Sequence, residues 1–118
     1  MIAKRIIVCG GRRYANRTFV YAALDLLAAT FAMPMIVVHG KAPGADDLAS
    51  QWCLERGVTQ EAHPADWDYY GNSAGPRRNK AMAKAGAALC VAFPGGTGTE
   101  SMIREATACG IEVVRMED

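Results

Sequence analysis

Short apolar runs alternate with segments of helical period along the whole chain, and no other feature constrains its fold as tightly. Arg5-Ile6-Ile7-Val8-Cys9 is apolar after its first residue and ends at Gly10-Gly11. Residues 18–31 place Phe19, Ala22, Ala23, Leu26 and Leu27 at helical spacing. Met35-Ile36-Val37-Val38-His39 is a second apolar run, closed by Gly40, and 45–56 reads as a helix with Gly57 as its stop. A weaker strand at 58–63, nearer an edge, precedes a helix at 74–85. A strand at 87–93, a helix at 99–109 and a last strand at 111–116 complete the series. Strands that are apolar throughout are buried on both faces. Their alternation with helices predicts a parallel sheet covered on both sides. The expected fold is α/β, a Rossmann-like three-layer sandwich with a five-stranded parallel sheet in the order 3-2-1-4-5. The 118 residues suit one domain over 1–118.

That order sets the first and fourth strands side by side, and ligands of such sheets bind beyond the carboxyl ends of the strands where the order reverses. Four polar, glycine-rich segments each follow a predicted strand: GGRRY (10–14), HGKAPGAD (39–46), HPADWDYYGNSAGPRRNKAM (63–82) and PGGTGTES (94–101). All four are therefore expected on one edge of the sheet. Glycine lets backbone amides approach an anion closely, and the start of the following helix adds about half a positive charge. Segment 94–101 has both features, so a phosphate is its natural guest; a tight turn without a ligand is the plain alternative. It is neither a GxGxxG fingerprint nor a GxxxxGK[ST] loop.

Composition narrows the function classes. A net charge of +1 provides no electrostatic argument for nucleic acid or a membrane surface. No apolar run is long enough to span a bilayer, and the N-terminal residues lack a signal-peptide pattern. Cys9, Cys53, Cys90 and Cys109 have no CxxC or Cys/His metal spacing and sit in or beside apolar runs. They read as buried free thiols in a reducing cytoplasm. His39 and His63 are too isolated for a metal site, and neither metal nor cofactor is expected. Met33, Met35, Met82 and Met102 read as packing.

PGGTGTES leading into a helix is similar to the PGGxGTxxE motif of the "lonely guy" (LOG) phosphoribohydrolases, which cleave the base from nucleoside 5′-monophosphates. GPRRNKAM resembles their second motif, with Arg78 four residues before Met82. GGRRY, HGKAPGADDLA, PADWDYYGNSAGPRRNKAM and FPGGTGT, in this order, resemble the YspA-type, YpsA-related branch of the SLOG superfamily across nearly the whole chain. The resemblance implies a Rossmann-like domain that binds a nucleotide or nucleotide-derived ligand such as ADP-ribose, NAD or a nucleoside phosphate, as a sensor or processing domain. It also implies a homodimer or higher oligomer. Two other functions follow from relatives: an N-glycosidic hydrolase of the LOG kind, and, more distantly, single-stranded nucleic-acid binding like that of DprA relatives, against which the near-neutral charge argues. One departure matters. The LOG pattern has its catalytic glutamate where this chain has Met102; Glu100 and Glu105 are the nearby acids, and one residue on a helix is about 100° of rotation.

The candidate residues divide by role. Phosphate or ligand contacts are expected from Gly10, Gly11, Arg12, Arg13, Gly40, Gly44, Arg77, Arg78, Asn79, Pro94, Gly95, Gly96, Thr97, Gly98 and Thr99. Arginine forks match phosphate geometry, and arginines in the first turn of a helix oppose its dipole unless they serve a ligand. Asp46 is either a helix cap or a partner of ribose hydroxyls. Trp67 is a candidate for stacking on a base, or part of a small core under its loop with Tyr69 and Tyr70. Glu100 and Arg78 are the catalytic candidates if the domain is a hydrolase. The competing reading of Glu100 is a capping box, with Thr97 as N-cap and Glu100 at N3, or a helix pair with Arg104.

Overall fold

In a computed structural model, which describes residues 3–31 and 34–118, the strands are β1 (Lys4–Cys9), β2 (Met35–His39), β3 (Thr59–Ala62), β4 (Leu89–Ala92) and β5 (Val113–Arg115). They form one parallel sheet in the order β3-β2-β1-β4-β5. Ile6 lies opposite Val37 on one side and Val8 opposite Val91 on the other. This is the α/β order predicted from the alternation. The helices are α1 (Arg17–Thr30), α2 (Ala45–Arg56), the short α3 (Trp67–Tyr70), α4 (Ala74–Lys84) and α5 (Thr97–Ala108). A single 3-10 turn, Gly71–Ser73, joins α3 to α4.

The two faces of the sheet have separate cores. Ile6, Val8 and Val37 pack against Val20 and Leu24 of α1 and Trp52 of α2. Ile7, Cys9 and Val38 point the other way, against Met82 of α4 and Met102 and Ala106 of α5. Burying a Val, Leu or Met side chain fully is worth about 1.5–3 kcal/mol, so these alternating strand residues fix the register. Polar groups at the margins are matched: the Trp52 indole N–H donates to Asp25 at 2.8 Å, and the Asn16 side chain caps α1 by accepting from the Phe19 N–H at 3.1 Å. Met35, Met82 and Met102 are packing residues as expected; Met33 lies outside the described residues.

Three expectations need correction. Cys109 is exposed while Cys9, Cys53 and Cys90 are buried; all four are free thiols. Cys109 follows the last turn of α5, past the residues that face the sheet. The helix expected at 99–109 starts at Thr97, with Gly96 as its N-cap and no side-chain cap. Thr97 is therefore not the cap, Glu100 stands one position beyond N3, and no capping box forms. The last three strands are shorter at both ends than the runs expected at 58–63, 87–93 and 111–116, whereas β2 matches its run and β1 begins one residue earlier.

Candidate functional site

Because every strand is parallel, the loops after β1, β2, β3 and β4 open on one edge of the sheet. They enclose a cavity of about 660 Å³ above β1 and β4. A ligand pocket usually spans roughly 300–1,000 Å³. Its floor is apolar: Val8, Cys9, Met82 and Met102. Cys9 is held well above the usual thiol range by its hydrogen bond with Cys90 and by burial, so it remains a protonated, unreactive floor residue.

The wall after β2 is built around a carboxylate. Asp46, in the first turn of α2, is only 6% exposed. Its Oδ2 accepts from the Gly40 N–H at 3.0 Å and the Ala42 N–H at 3.3 Å. Lys41 between them takes the left-handed conformation, φ +55°, so the loop wraps its own acid. Burial raises the Asp46 pKa above its ordinary value, against the pull of the Ala42 and Gly40 amides, His39 and Arg78. Oδ1 accepts from no described residue, and no fully enclosed side-chain polar atom lacks a partner among those residues. Asp46 lines the cavity. Gly44 makes the turn possible: at φ +80° any Cβ would stand 2.1 Å from the Gly11 carbonyl oxygen. Buried His39 pins the same loop. Its Nδ1 accepts from the Lys41 N–H at 3.0 Å, which assigns the proton to Nε2 and the donation to Gln60 Oε1 at 2.8 Å.

Arg78 and Asn79 tie this wall to the opposite one. The Arg78 Nη1 donates to the Gly40 carbonyl at 2.6 Å and the His63 carbonyl at 3.4 Å, and its Nε donates to Asn79 Oδ1 at 2.8 Å. Asn79 Nδ2 in turn donates to the Gly98 carbonyl and to Ser101 Oγ, both at 3.3 Å. One relay thus runs from the β2 loop to the first turn of α5. Burial lowers the Arg78 pKa and the charge of Asp46 opposes that, yet a guanidinium stays charged. Across the cavity, Gly96, Thr97, Gly98 and Thr99 bring the uncapped start of α5 to its rim. Helix starts leave amide donors unsatisfied and carry partial positive charge, so this end favours an anion.

The sequence candidates therefore separate. Gly10, Gly11, Arg12, Gly40, Asp46, Arg78, Asn79 and residues 96–99 line the cavity, as does Trp67. Arg12 lies over the Trp67 ring at 5.2 Å. Gly44 stands behind the wall. Arg13 is exposed and outside the lining. Arg77 stacks on Tyr70 at 4.4 Å and donates to Ser73 Oγ at 3.1 Å, on the outside of the hood that α3 makes. Pro94, Gly95 and Glu100 face a second, smaller recess of about 160 Å³ on the far side of α5. There both Glu100 oxygens accept from the Arg115 guanidinium at 2.9 Å, which pulls the Glu100 pKa down. Glu100 is thus not brought together with Arg78. The acid of α5 that does line the large cavity is Glu105, with its neighbour Arg104. The helical spacing 98, 101–102, 105 carried that signal; the wrapping of the β2 loop around Asp46 had none.

Residues 4–70 match the YspA, cpYpsA-related SLOG family. The Gene 61 protein of Mycobacterium phage D29 is 41% identical over 122 residues, covering 98% of each chain. The chain belongs to this family. Among solved structures, DNA processing protein A (DprA) from Streptococcus pneumoniae superposes with a TM-score of 0.76 at 16% identity, over 96% of this chain; the chain spans half of that protein. The molybdenum cofactor binding protein from Rippkaea orientalis superposes with a TM-score of 0.75 at 18% identity, over all of this chain and 78% of that one. At these identities the likeness is one of fold.

Proposed function

We propose that this member of the YspA, cpYpsA-related SLOG family binds a nucleotide or nucleotide-derived ligand in the cavity at the sheet edge, as a sensor or processing domain. One observation carries the reading: a single cavity offers an uncapped helix start at one end and a buried carboxylate with an unpartnered oxygen at the other. Amide donors suit a phosphate, and a carboxylate accepts from sugar hydroxyls. A ribose 5′-phosphate carries both groups. In this reading Arg12 supplies charge to the phosphate, while Arg78 and Asn79 tie the two walls to each other.

Hydrolysis of the LOG kind has less support. Met102 stands where the LOG pattern has its acid, and it is 1% exposed in an apolar floor. Glu100 is engaged by Arg115 on the other side of the helix. The test is a calorimetric titration with adenosine 5′-monophosphate, ADP-ribose and NAD, with chromatography of each mixture for released base. Binding without base release is expected. No binding at millimolar ligand overturns the proposal, and base release turns it into the hydrolase reading.

A further inference from the structure

The hood over the cavity has a feature that a phosphate and a ribose leave unexplained. Trp67 lines the cavity yet remains 45% exposed, and α3 buries none of its residues. An indole left half in water is poorly used as packing. Its position is nevertheless built. Gly75 opens α4 beneath it, and a Cβ there would approach the Trp67 Cη2 to 3.1 Å, so the ring rests against bare backbone. Arg12 covers the ring at 5.2 Å. Such an exposed cation–π contact is weak, and Arg12 is itself exposed. Asn72 and Pro76 line the same cavity. A primary amide presents a donor and an acceptor side by side, as the edge of a nucleobase does.

We infer that the hood is a nucleobase subsite. A planar aromatic base stacks on the Trp67 indole in the place the Arg12 guanidinium holds, the Asn72 amide pairs with the base edge, and the displaced Arg12 turns toward the phosphate at the start of α5. This rests on the phosphate reading above and deepens it: the ligand must carry an aromatic base and not only a sugar phosphate. The exchange also couples the two ends of the ligand, since the base releases the cation that the phosphate uses.

Three probes separate the two ideas: inorganic phosphate, ribose 5-phosphate and adenosine 5′-monophosphate. The wild type is expected to bind the nucleotide about tenfold or more tighter than ribose 5-phosphate, the range that one base–aromatic stack provides. Trp67→Ala is expected to abolish that preference, weakening the nucleotide while ribose 5-phosphate binds at least as tightly as before, because Arg12 is freed; Trp67→Phe, which keeps a ring and guards against a folding defect, is expected to retain most of the preference. The nucleotide should quench tryptophan emission in the wild type and not in Trp67→Phe, because Trp52 is buried in the other core. Equal affinity of the wild type for nucleotide and ribose 5-phosphate overturns the base subsite and leaves the phosphate site standing. So does an equal loss of both ligands in both variants, which would make Trp67 a shaping residue. Failure of all three probes to bind overturns the phosphate reading and the base subsite with it.

Discussion

The first turn of α5 separates two recesses, each with an acid and an arginine, and they differ in nearly every physical respect. On the inner side, Asp46 is buried, wrapped by amides and raised in pKa, and Arg78 is half buried and bonded to two carbonyls. On the outer side, Glu100 and Arg115 are about half exposed, bonded to each other and shifted the opposite way. Exposed pairs of that kind contribute little, and the Arg115 guanidinium already neutralises the Glu100 carboxylate through both of its oxygens. The inner acid is left with an oxygen unpartnered in a cavity four times larger, about 660 against 160 Å³. Residue type does not mark a site; what the neighbours have left unsatisfied does.

The largest expected effect falls on the inner wall. Gly44→Ala places a Cβ 2.1 Å from the Gly11 carbonyl oxygen and 2.6 Å from the Arg12 carbonyl carbon, at a φ of +80° that L residues avoid. Either the β1 loop or the β2 loop must move. A loss of about 3 kcal/mol in urea unfolding is expected from backbone strain and clash together. A variant as stable as the wild type would show that the inner wall is less tightly built than the outer one.

Next comes Asp46→Asn. The amide oxygen still accepts from Gly40 and Ala42, so the loop is expected to stay folded. Affinity for a ribose phosphate is expected to fall about tenfold, the scale of one charge-assisted hydrogen bond. Unchanged affinity in calorimetry would remove Asp46 from the site.

The two acids also predict opposite responses to pH. Asp46 has a folded pKa above its ordinary 3.8, so its proton binds more readily in the folded state. Its ionisation weakens the fold as pH rises from about 3.8 through the folded value, and acidification restores that stability. Glu100 has a folded pKa below its ordinary 4.5. Its contribution is present above 4.5 and is lost as pH falls through the folded value. Relative to the wild type, Asp46→Asn should therefore gain stability as pH rises across its window, and Glu100→Gln should lose it across its own. Unfolding midpoints between pH 3 and 7 check the sign; slopes of the same sign would erase the distinction between the recesses.

The smallest effect is expected from Glu100→Gln at neutral pH. Melting temperature should fall only slightly, since the exposed pair with Arg115 contributes little, and nucleotide affinity should match the wild type, because the side chain touches Arg115 and not the cavity. A large loss of affinity, or of base release if any is found, would return Glu100 to the site.

Much of this was legible in the chain itself. Apolar strands between helical segments fixed the sheet and its order, and placing four glycine-rich loops after four strands located the edge. Individual side chains were harder. Glu100 reads as a capping residue because Thr97 precedes it by three, but Gly96 opens the helix and Arg115, fifteen residues away on another strand, claims the carboxylate. Arg77 and Arg78 are neighbours in sequence, yet a rotation of about 100° sends one outward over Tyr70 and the other inward to Gly40. Asp46 looks like an ordinary helix-start acid, and the positive φ of Lys41 and Gly44 together folds the β2 loop around it. Such outcomes depend on contacts between distant segments, which local pattern does not encode.

The central claim, that the inner recess and not the outer one takes an anionic ligand, is tested most directly by following backbone amide resonances during titration with adenosine 5′-monophosphate. Saturable shifts are expected at residues 96–99 and 40–46, with Arg115 and Glu117 unmoved. Shifts centred on Arg115 and Glu117, or no saturable shift at millimolar nucleotide, would contradict it.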